Sequence, residues 1–416
     1  MKNRKVHLNG AMRHHAFLFI LSFILVVSRR PDALFNAQFW AEDGTLWYAE
    51  AYNLRLSALL HPAAGYFQTL PRLAALVALP LPLSAAPLLF NIIAVLIQIL
   101  PVQFLMSSRC RAFGSYGART AFAFLYLALP NSHEIHANMT NAQWRLAFLA
   151  LLVLLAEPGK TILWNLFDYT VLALSAVTGP FIVFIAPVAA AAYIKGHHRH
   201  RFGLLLMSFA GAALELAAVL ITGGNERPLD AVRDASPQLL VRILAKQVFL
   251  APIFGRRVLG RFSFESGWGF RIAAAAVLLG IAIEVYAFLK ASYQWKAFLI
   301  FANCILAVSL VTPTTASPQW PNLLTSGGVR YWFFPMLAFI AGVVWLVEAE
   351  NPQIVRRAGG VLMTFMLFGI VQDWVHPRLV DLHFQQDVRR FAKAPPGSTF
   401  IFPLNPPGFV MSLKKH

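Results

Sequence analysis

The chain has 416 residues, of which 58% are hydrophobic and only 13% are charged. A soluble domain carries about 25% charged residues and has no room to bury so much apolar side chain, so the composition excludes a soluble protein. In a soluble protein the net charge of +17 would suggest a nucleic-acid partner. Here most basic residues flank apolar stretches. We therefore attribute the charge to membrane orientation and lipid phosphates, and expect no nucleic acid.

Apolar stretches recur from one end of the chain to the other. Most reach, with their flanking residues, the ~17–25 residues that a membrane-spanning helix needs. Leucine, alanine and phenylalanine dominate them and no long alternating strand occurs, so the spans are expected to be helical. The predicted fold class is all-α, a polytopic transmembrane helical bundle of about 11 spans. The stretches are Ala16–Ser28, Leu88–Met106, Ala118–Pro130, Ala147–Ala156, Ile162–Val177, Phe181–Ile194, Phe202–Thr222, Phe270–Leu289, Ala297–Val311, Tyr331–Val347 and Ala358–Ile370.

Basic residues predict the orientation of the bundle. They should keep the N-terminus in the cytoplasm, and the first apolar run is expected to be an uncleaved span because no Ala-x-Ala site follows it. Four further basic loops can all be cytoplasmic only if Phe67–Pro87 crosses the membrane an even number of times or not at all. Those loops are Ser107–Arg119, Lys195–Arg201, Lys290–Lys296 and Glu348–Arg357. The predicted outer segments are Arg30–Pro87, Asn131–Trp144, Thr178–Pro180, Gly223–Gly267, Thr312–Arg330 and Asp373–His416.

The most informative segment is Phe39-Trp40-Ala41-Glu42-Asp43-Gly44, early in the first predicted outer loop. An interfacial helix is expected from Thr45 to Leu60, with Glu50 on its polar face. Asp43 before that helix is a natural N-cap, and paired acids in a loop are often only solvated. Alternatively, a carboxylate at the membrane surface takes the proton from an attacking hydroxyl group while a lipid phosphate leaves. On that interpretation Asp43 and Glu42 are the candidate catalytic residues.

A second polar segment, Asn131–Trp144, is predicted on the same side of the membrane. His133 and His136 are three residues apart, and Glu134 would join them at a metal ion. The alternatives are the polar lining of a sugar pocket and an ordinary interfacial turn. The candidate pocket residues are His133, Glu134, His136, Asn138, Asn141 and Trp144. The sequence identifies no cofactor with certainty and leaves a divalent cation open.

Arginines at the predicted outer face are candidates for binding phosphate, which a guanidinium group grips with two parallel hydrogen bonds. Arg330, followed by Tyr331, and Arg72 each border an apolar stretch. These three are the candidate donor-phosphate residues. A further cluster contains Arg256, Arg257 and Arg261. The alternative for every one of these arginines is snorkelling of the side chain to lipid headgroups.

Three acids lie within apolar stretches, where an ionisable side chain is costly and suggests a function. Glu284 is predicted near a cytoplasmic end, whereas Asp168 and Glu215 lie deeper and would pair structurally, line a substrate groove or form a proton path. Near the C-terminus, Thr399–Pro403 and Phe409–Leu413 are expected to form a hairpin around an Asn-Pro-Pro-Gly turn. That hairpin would lie either over an outer cavity or passively on the membrane surface.

The layout resembles the GT-C superfamily, multi-span glycosyltransferases that use polyprenyl-phosphate-linked sugars. Those enzymes carry a catalytic acid, usually in an acidic pair, in the first outer loop, where Glu42-Asp43 is placed here. The chain also resembles a bacterial branch of that superfamily through Trp40-Ala41-Glu42-Asp43-Gly44, Gly65-Tyr66, Pro71-Arg72 and Arg330-Tyr331. The resemblance implies a transmembrane GT-C-like domain at 1–374, in which 30–66 is the first outer loop, and a short periplasmic tail at 375–416.

The resemblance also implies an activity, that of an inverting hexosyl- or pentosyltransferase in the bacterial inner (plasma) membrane with its active site facing the periplasm. The expected partners are a polyprenyl-phosphate-linked sugar donor, membrane lipids, and an envelope acceptor that is a glycan, a lipid or a protein. Large GT-C enzymes often carry a sizeable outer C-terminal domain, which the short tail of this chain does not provide. The alternative function is a transporter or flippase of a lipid-linked saccharide, with Asp168 and Glu215 as ion-coupling acids.

Overall fold

The predicted apolar stretches are helical in the structure, and the predicted all-α class is confirmed. The computed structural model describes residues 2–222, 232–325 and 327–416, with side chains from residue 12 onward. Its α-helices are α1 (Lys2–Arg29), α2 (Asp32–Phe35), α3 (Ala49–Leu54), α4 (Thr69–Ala78), α5 (Ala86–Leu105), α6 (Tyr116–Leu127), α7 (Ala142–Leu155), α8 (Ile162–Ala176), α9 (Phe181–Gly196), α10 (Arg199–Ile221), α11 (Pro237–Ile243), α12 (Ala251–Leu259), α13 (Gly267–Lys290), α14 (Tyr293–Val311), α15 (Gln319–Leu324), α16 (Phe333–Leu346), α17 (Gln353–Gln372) and α18 (Phe384–Lys393). Tighter 3₁₀ turns cover Arg55–Leu60, Leu83–Ala85, Ser108–Phe113 and Val329–Trp332, and wider π-helical turns cover Asp43–Tyr48 and Leu244–Phe249.

Within the described residues, seven helical segments are long and apolar enough to cross a membrane, so the chain is a multi-pass membrane protein. They are Met12–Arg29, Leu83–Leu105, Arg199–Ile221, Gly267–Lys290, Tyr293–Val311, Val329–Leu346 and Gln353–Gln372. An eighth span results if Pro237–Phe249 and Ala251–Leu259, which meet at 109°, are counted as one. The predicted total of about eleven spans therefore also requires the shorter helices α6 to α9.

The short helix α7 lies at the centre of the bundle. All of its 14 residues are buried. A helix of this length extends for only about 21 Å, less than the ~30 Å thickness of the hydrocarbon core of a bilayer. Because neighbouring helices surround α7, its ends do not have to reach the headgroups of both leaflets. The equally buried α16 is a second central helix.

The four loops predicted to be cytoplasmic meet at one end of the bundle, which we call the basic end. Ser115 Oγ donates a hydrogen bond of 2.9 Å to Glu348 Oε1, and Ser292 Oγ donates one of 2.9 Å to Ala112 O. Lys195 Nζ lies 4.3 Å from the ring centre of the tyrosine that follows Ser292. These contacts join loops that are distant in sequence. The four basic loops therefore lie at the same end of the bundle, as the charge pattern predicts.

The segment Phe67–Pro87 starts and finishes at the opposite end of the bundle, which we call the site end. Near its start, Thr69 N donates a hydrogen bond of 3.0 Å to Val177 O. Near its finish, Ser84 O accepts one of 3.2 Å from Gln385 Nε2 in the C-terminal tail. Between these points α4 stops at a Leu-Pro-Leu-Pro run, because proline lacks the N–H that a continuing helix needs. The segment therefore returns to the end where it began without crossing the bundle.

The predicted outer segment Gly223–Gly267 contains a bent pair of helices that the sequence pattern did not predict. Residues 223–231 lie outside the described part, and the pair is formed by α11 with its π-helical continuation and by α12. Gly255 has a φ of +75°, and an added Cβ would lie 2.9 Å from the backbone oxygen of Gly369. The carboxylate of Asp373 accepts hydrogen bonds from the backbone N–H of Arg256 at 2.6 Å and Arg257 at 3.2 Å. Basic residues interrupt the apolar pattern here, which made the pair resemble a loop.

The C-terminal hairpin is formed as predicted. β1 (Thr399–Leu404) and β2 (Phe409–Lys414) pair antiparallel, and each is one residue longer than expected. The helix α18 precedes them and was not predicted; the Phe391 ring on it lies 5.5 Å from the Phe402 ring on β1. Buried side chains of the hairpin join the apolar cluster that contains Trp47. The tail therefore packs onto the loop that follows α1.

Candidate active site

The acidic motif is held in place by the C-terminal tail. Ala41 N donates a hydrogen bond of 2.5 Å to Asn405 O, and Trp40 forms a parallel β-bridge with Asn405. The side-chain amide of Asn405 donates to Gln38 Oε1 and to Val380 O, at 2.9 Å each. Its Oδ1 accepts a hydrogen bond of 2.9 Å from Val380 N. Asn405 thus joins the motif, the turn of the hairpin and the chain leading to α18.

The backbone turns sharply immediately before the two acids. Ala41 has a φ of +45°, a left-handed conformation that is uncommon for a residue with a Cβ atom. At Gly44 an added Cβ would lie 2.5 Å from Leu404 Cδ1, so any larger residue here would force the Leu404 side chain on β1 to move. The consecutive side chains of Glu42 and Asp43 lie on different sides of this turn.

Asp43 is fully buried and lies behind the wall of the cavity described below. Its Oδ1 accepts hydrogen bonds from Thr140 N at 2.6 Å and Thr140 Oγ1 at 2.7 Å, and its Oδ2 accepts one from Met139 N at 3.2 Å. The residue before the π-helical turn is Glu42, and no side chain caps that turn, so Asp43 is not an N-cap. Burial raises the pKa of Asp43 to about 7, although the hydrogen bonds act to lower it. Asp43 anchors the segment Asn131–Trp144 to the acidic motif.

Glu42 faces a cavity of about 900 Å³ at the site end, which we call the site cavity. The side chain is partly buried, and within the described part of the chain no hydrogen bond or ion pair engages its carboxylate. The other carboxylates of the wall, Glu50 and Glu134, each pair with an arginine. Glu42 is therefore the acid in this cavity whose oxygens are available to accept a proton from a ligand.

The site cavity has a polar part and an apolar wall. Its polar part includes Glu42, Glu50, Tyr66, Gln68, His133, Glu134, Thr140, Asn141, Gln143, Thr314 and Arg330. Its apolar wall includes Phe181 and Phe184 from α9 and Ile305 and Val308 from α14. Val308 is 37% exposed and lies on α14, one of the helices that are long and apolar enough to cross a membrane. The shape and polarity fit an amphiphilic ligand with a polar head and a hydrocarbon chain.

Among the described residues, Arg330 is the arginine that lines the cavity. Its Nη1 donates to Glu134 Oε1, and its backbone N–H donates to Glu134 Oε2 at 3.0 Å. Its Nη2 donates a hydrogen bond of 2.9 Å to Thr314 O. The guanidinium carbon lies 4.7 Å from the ring centre of Tyr331, which also lines the cavity. The Arg330 side chain remains 27% exposed. Glu134 therefore fixes its position and still leaves part of the guanidinium group accessible to a ligand.

Arg72, the third predicted phosphate residue, is fully buried and does not line the cavity. Its Nη1 donates to the Glu50 carboxylate, and its guanidinium carbon lies 5.1 Å from the centre of the Trp47 ring. Both Glu50 and Trp47 do line the cavity. Arg72 therefore supports the wall from behind.

The predicted pocket residues divide into two groups. His133, Glu134, Asn141 and Trp144 line the site cavity. His136 and Asn138 lie behind its wall: His136 Nε2 is 3.0 Å from Val26 O, and Asn138 Nδ2 donates a hydrogen bond of 2.7 Å to Glu134 O. Arg30 holds the segment Asn131–Trp144 in place, since its guanidinium group donates hydrogen bonds to His133 O at 2.7 Å and to His136 O at 3.0 Å.

A divalent cation takes several oxygen ligands. Of the acids that line the cavity, Glu50 and Glu134 each pair with an arginine. Among the described residues, no group of three or more His, Cys, Asp or Glu side chains is arranged to hold a metal ion. Burial, with the positive charges of Arg256 and Arg30, lowers the pKa of His133 to about 3, so its imidazole is neutral.

The acids within apolar stretches lie outside the site cavity. Asp168 accepts hydrogen bonds from Arg109 Nη1 and Nη2 at 2.7 Å each and lies 2.9 Å from His200 Nε2, at the basic end. Glu215 Oε2 accepts a hydrogen bond of 2.9 Å from Phe67 N. The other candidates that lie outside the cavity are Glu284, Arg256, Arg257 and Arg261.

Several wall residues were not predicted as site residues. They include Tyr66, Gln68, Thr140, Gln143, Ser309 and Thr314, and Glu50 was predicted only as part of a polar helix face. Thr140 and Gln143 had a signal, since both lie within the polar segment Asn131–Trp144. Gln68 is a single amide beside an apolar helix and belongs to no motif. Pro406 and Phe409 of the tail also line the cavity, so the hairpin lies over it.

No protein-family model matches the chain, and no curated protein is significantly similar to it in sequence. A similar solved structure is the crystal structure of the Archaeoglobus fulgidus oligosaccharyltransferase, tethered through a disulfide bond to an acceptor peptide that contains the NVT sequon. The similarity covers 91% of this chain and 58% of that chain, with 12% sequence identity and a TM-score of 0.43. Similarity at this level assigns neither an activity nor a substrate to this chain.

Proposed function

We propose that the chain transfers a sugar from a lipid-phosphate donor to an acceptor at the site cavity. The observation that carries this proposal is the composition of the cavity. It combines the available carboxylate of Glu42, the guanidinium group of Arg330 and an apolar wall formed by side chains of α9 and α14. A lipid-phosphate sugar carries the complementary groups in one molecule: a hydrocarbon chain, an anionic phosphate and a polar sugar.

Glu42 acts as the general base in this mechanism. The acceptor oxygen attacks the anomeric carbon of the sugar while its proton moves to a carboxylate oxygen of Glu42. The bond between the anomeric carbon and the phosphate oxygen breaks, and the lipid phosphate leaves with the electron pair of that bond. Arg330 stabilises the negative charge of the departing phosphate through charge-assisted hydrogen bonds. Attack on the face opposite the leaving group inverts the anomeric configuration.

The donor in this proposal is a polyprenyl-phosphate-linked sugar, and the acceptor is an envelope glycan, lipid or protein. The cavity faces the periplasm of a bacterial inner membrane. Two observations support this assignment: the acidic motif resembles that of GT-C enzymes, and the cavity lies at the end opposite the basic loops. Those loops are expected to stay in the cytoplasm.

The transporter alternative has less support. An ion-coupling acid has to exchange ions with a water-filled path. Asp168 is fully buried between Arg109 and His200. Glu215 is 1% exposed and accepts a hydrogen bond from the backbone N–H of Phe67. Neither acid lines the site cavity, and we do not propose transport.

The test compares the two adjacent acids. Membranes containing the chain are supplied with a radiolabelled polyprenyl-phosphate sugar, and label in lipid, glycan and protein fractions is measured per folded molecule. Glu42→Gln is expected to lower the rate by roughly two to four orders of magnitude, because the variant loses the proton acceptor. Asp43→Asn is the comparison variant: it keeps an oxygen for the two hydrogen bonds from Thr140 and loses the one from Met139 N, so it is expected to lower the rate far less than Glu42→Gln does. Wild-type rates in Glu42→Gln would rule out the mechanism.

A further inference from the structure

Two buried glutamines of the site cavity have hydrogen-bonding groups that the chain does not use. Gln68 is 4% exposed and Gln143 is 8% exposed, and both line the cavity. Among the described residues, the side-chain oxygen of each has no hydrogen-bond partner. A buried amide without a partner is unfavourable, and buried polar groups in folded proteins are nearly always paired. Both side chains line the cavity, and the torsion angle of a terminal amide group is soft, so a small rotation of either amide brings it to a ligand.

The turn between α8 and α9 brings the two glutamines together. Gln68 forms a β-bridge with Thr178, and Gly179 N donates a hydrogen bond of 2.8 Å to Phe67 O. Gly179 has a φ of +85°, and an added Cβ would lie only 1.9 Å from Gln143 Oε1. The glycine therefore leaves the space that the Gln143 amide occupies. Both amides flank this one turn.

Trp144 adds an aromatic ring next to Gln143 in the chain. It lines the cavity and is 5% exposed, and its Nε1 is buried without a partner among the described residues. Its ring centre lies 4.6 Å from that of Phe181, which holds the indole in place. Amides donate to and accept from hydroxyl groups, and an aromatic ring packs against the apolar face of a sugar ring. These groups match the chemistry of a carbohydrate.

The charges around the cavity favour a sugar without charge. Glu50 is paired with Arg72, and Glu134 with Arg330. Glu42 is thus the unpaired charge of the described wall, and it would repel a carboxylate on the sugar. A buried anion also requires a cationic partner, which neither glutamine supplies. We propose that Gln68, Gln143 and Trp144 form a subsite for an uncharged sugar. This inference rests on the proposed function and names the class of sugar that the donor carries.

The test measures binding of defined probes to the full chain in nanodiscs. The probes are farnesyl phosphate, farnesyl phosphate glucose, farnesyl phosphate glucuronate and farnesyl glucoside, which lacks the phosphate. The glucose probe is expected to bind more tightly than farnesyl phosphate or the glucuronate probe. Gln68→Leu and Gln143→Leu should each weaken the glucose probe by about 3- to 10-fold per hydrogen bond lost and leave farnesyl phosphate unchanged. Leucine removes an unpartnered buried amide, so folding should not suffer.

Gln103→Leu is the matched control, because the Gln103 amide lies near His15 and outside the cavity. If both cavity variants bind the glucose probe as the wild type does, the subsite is wrong, whether or not farnesyl phosphate binds. Equal affinity for the glucose and glucuronate probes overturns the uncharged class. If farnesyl phosphate does not bind but farnesyl glucoside binds in a Gln143-dependent way, the subsite stands and the proposed transferase function falls.

Discussion

Two adjacent acids, Glu42 and Asp43, have opposite surroundings. Asp43 is fully buried and accepts three hydrogen bonds from Met139 and Thr140. Glu42 lines the site cavity, and no described residue pairs with its carboxylate. The pair was recognisable from the sequence, but the assignment of a separate role to each acid depends on the turn at Ala41. A carboxylate that already accepts several hydrogen bonds is suited to anchor a loop, whereas an unpaired one is suited to accept a proton.

The ion pair between Arg330 and Glu134 predicts how substitutions at these two residues change the affinity for a lipid phosphate. Arg330→Ala should weaken the binding of farnesyl phosphate in nanodiscs by about 10- to 100-fold, because a charge-assisted hydrogen bond contributes ~1.5–3 kcal/mol. Glu134→Gln should strengthen binding, because it removes the carboxylate that competes for the guanidinium group. Arg261→Ala, which changes an exposed arginine outside the cavity, is the control. Unchanged affinity in Arg330→Ala would remove this residue from the phosphate site.

At the scale of elements, the C-terminal hairpin is part of the site. Its turn holds the backbone of Ala41 through Asn405, and its Pro406 and Phe409 contribute to the cavity wall. The left-handed conformation of Ala41 is unfavourable for an L-residue, so the long-range hydrogen bonds have to maintain it. Asn405 therefore acts as a positioning residue for Glu42.

The positioning role of Asn405 predicts a local effect of its removal. Asn405→Ala should raise hydrogen–deuterium exchange of the Ala41 amide by up to about 100-fold, because three side-chain hydrogen bonds worth roughly 1 kcal/mol each are lost. It should also lower the kcat of sugar transfer more than it raises KM. Asn53→Ala is the matched control, since Asn53 bonds to Ser412 and Lys414 of β2 but lies away from Ala41. Equal effects of the two variants on Ala41 and on kcat would contradict this role.

At the scale of the whole molecule, the contacts divide the loops between two ends. The basic loops share one end, and Glu42, Arg330 and the hairpin share the other. The segment Phe67–Pro87 returns to the site end, which gives the even count of crossings that the charge pattern required. The grouping therefore follows from the sequence, and the structure shows how the proline-broken segment makes it possible.

The orientation of the two ends is tested by cysteine labelling. In a variant without Cys110 and Cys304, Lys414→Cys should react with a membrane-impermeant maleimide in intact cells. Lys195→Cys should react only after permeabilisation, because positively charged short loops remain in the cytoplasm. Protein yield controls for folding. Labelling of Lys195→Cys in intact cells would reverse the orientation and place the site cavity in the cytoplasm.

The sequence by itself determined the class of the protein, its main helices and the hairpin. Those features follow from local patterns: apolar length specifies a span, and β-favouring residues on both sides of a turn specify a hairpin. The same local rules missed the bent pair at Pro237–Leu259, where Arg and Lys interrupt the apolar pattern. Asp373, which binds the backbone of Arg256 and Arg257, is distant in sequence and invisible to a local pattern.

Only the tertiary structure decided which candidate residues face the cavity. Glu42 faces it because Asn405, at the other end of the chain, holds the Ala41 turn. Gln68 and Gln143 meet around Gly179 although no motif connects them. Composition and periodicity predict how much of a helix is buried, since burial depends on the average hydrophobicity of many residues. The direction of one side chain depends on hydrogen bonds between distant backbone segments, which only the folded chain brings together.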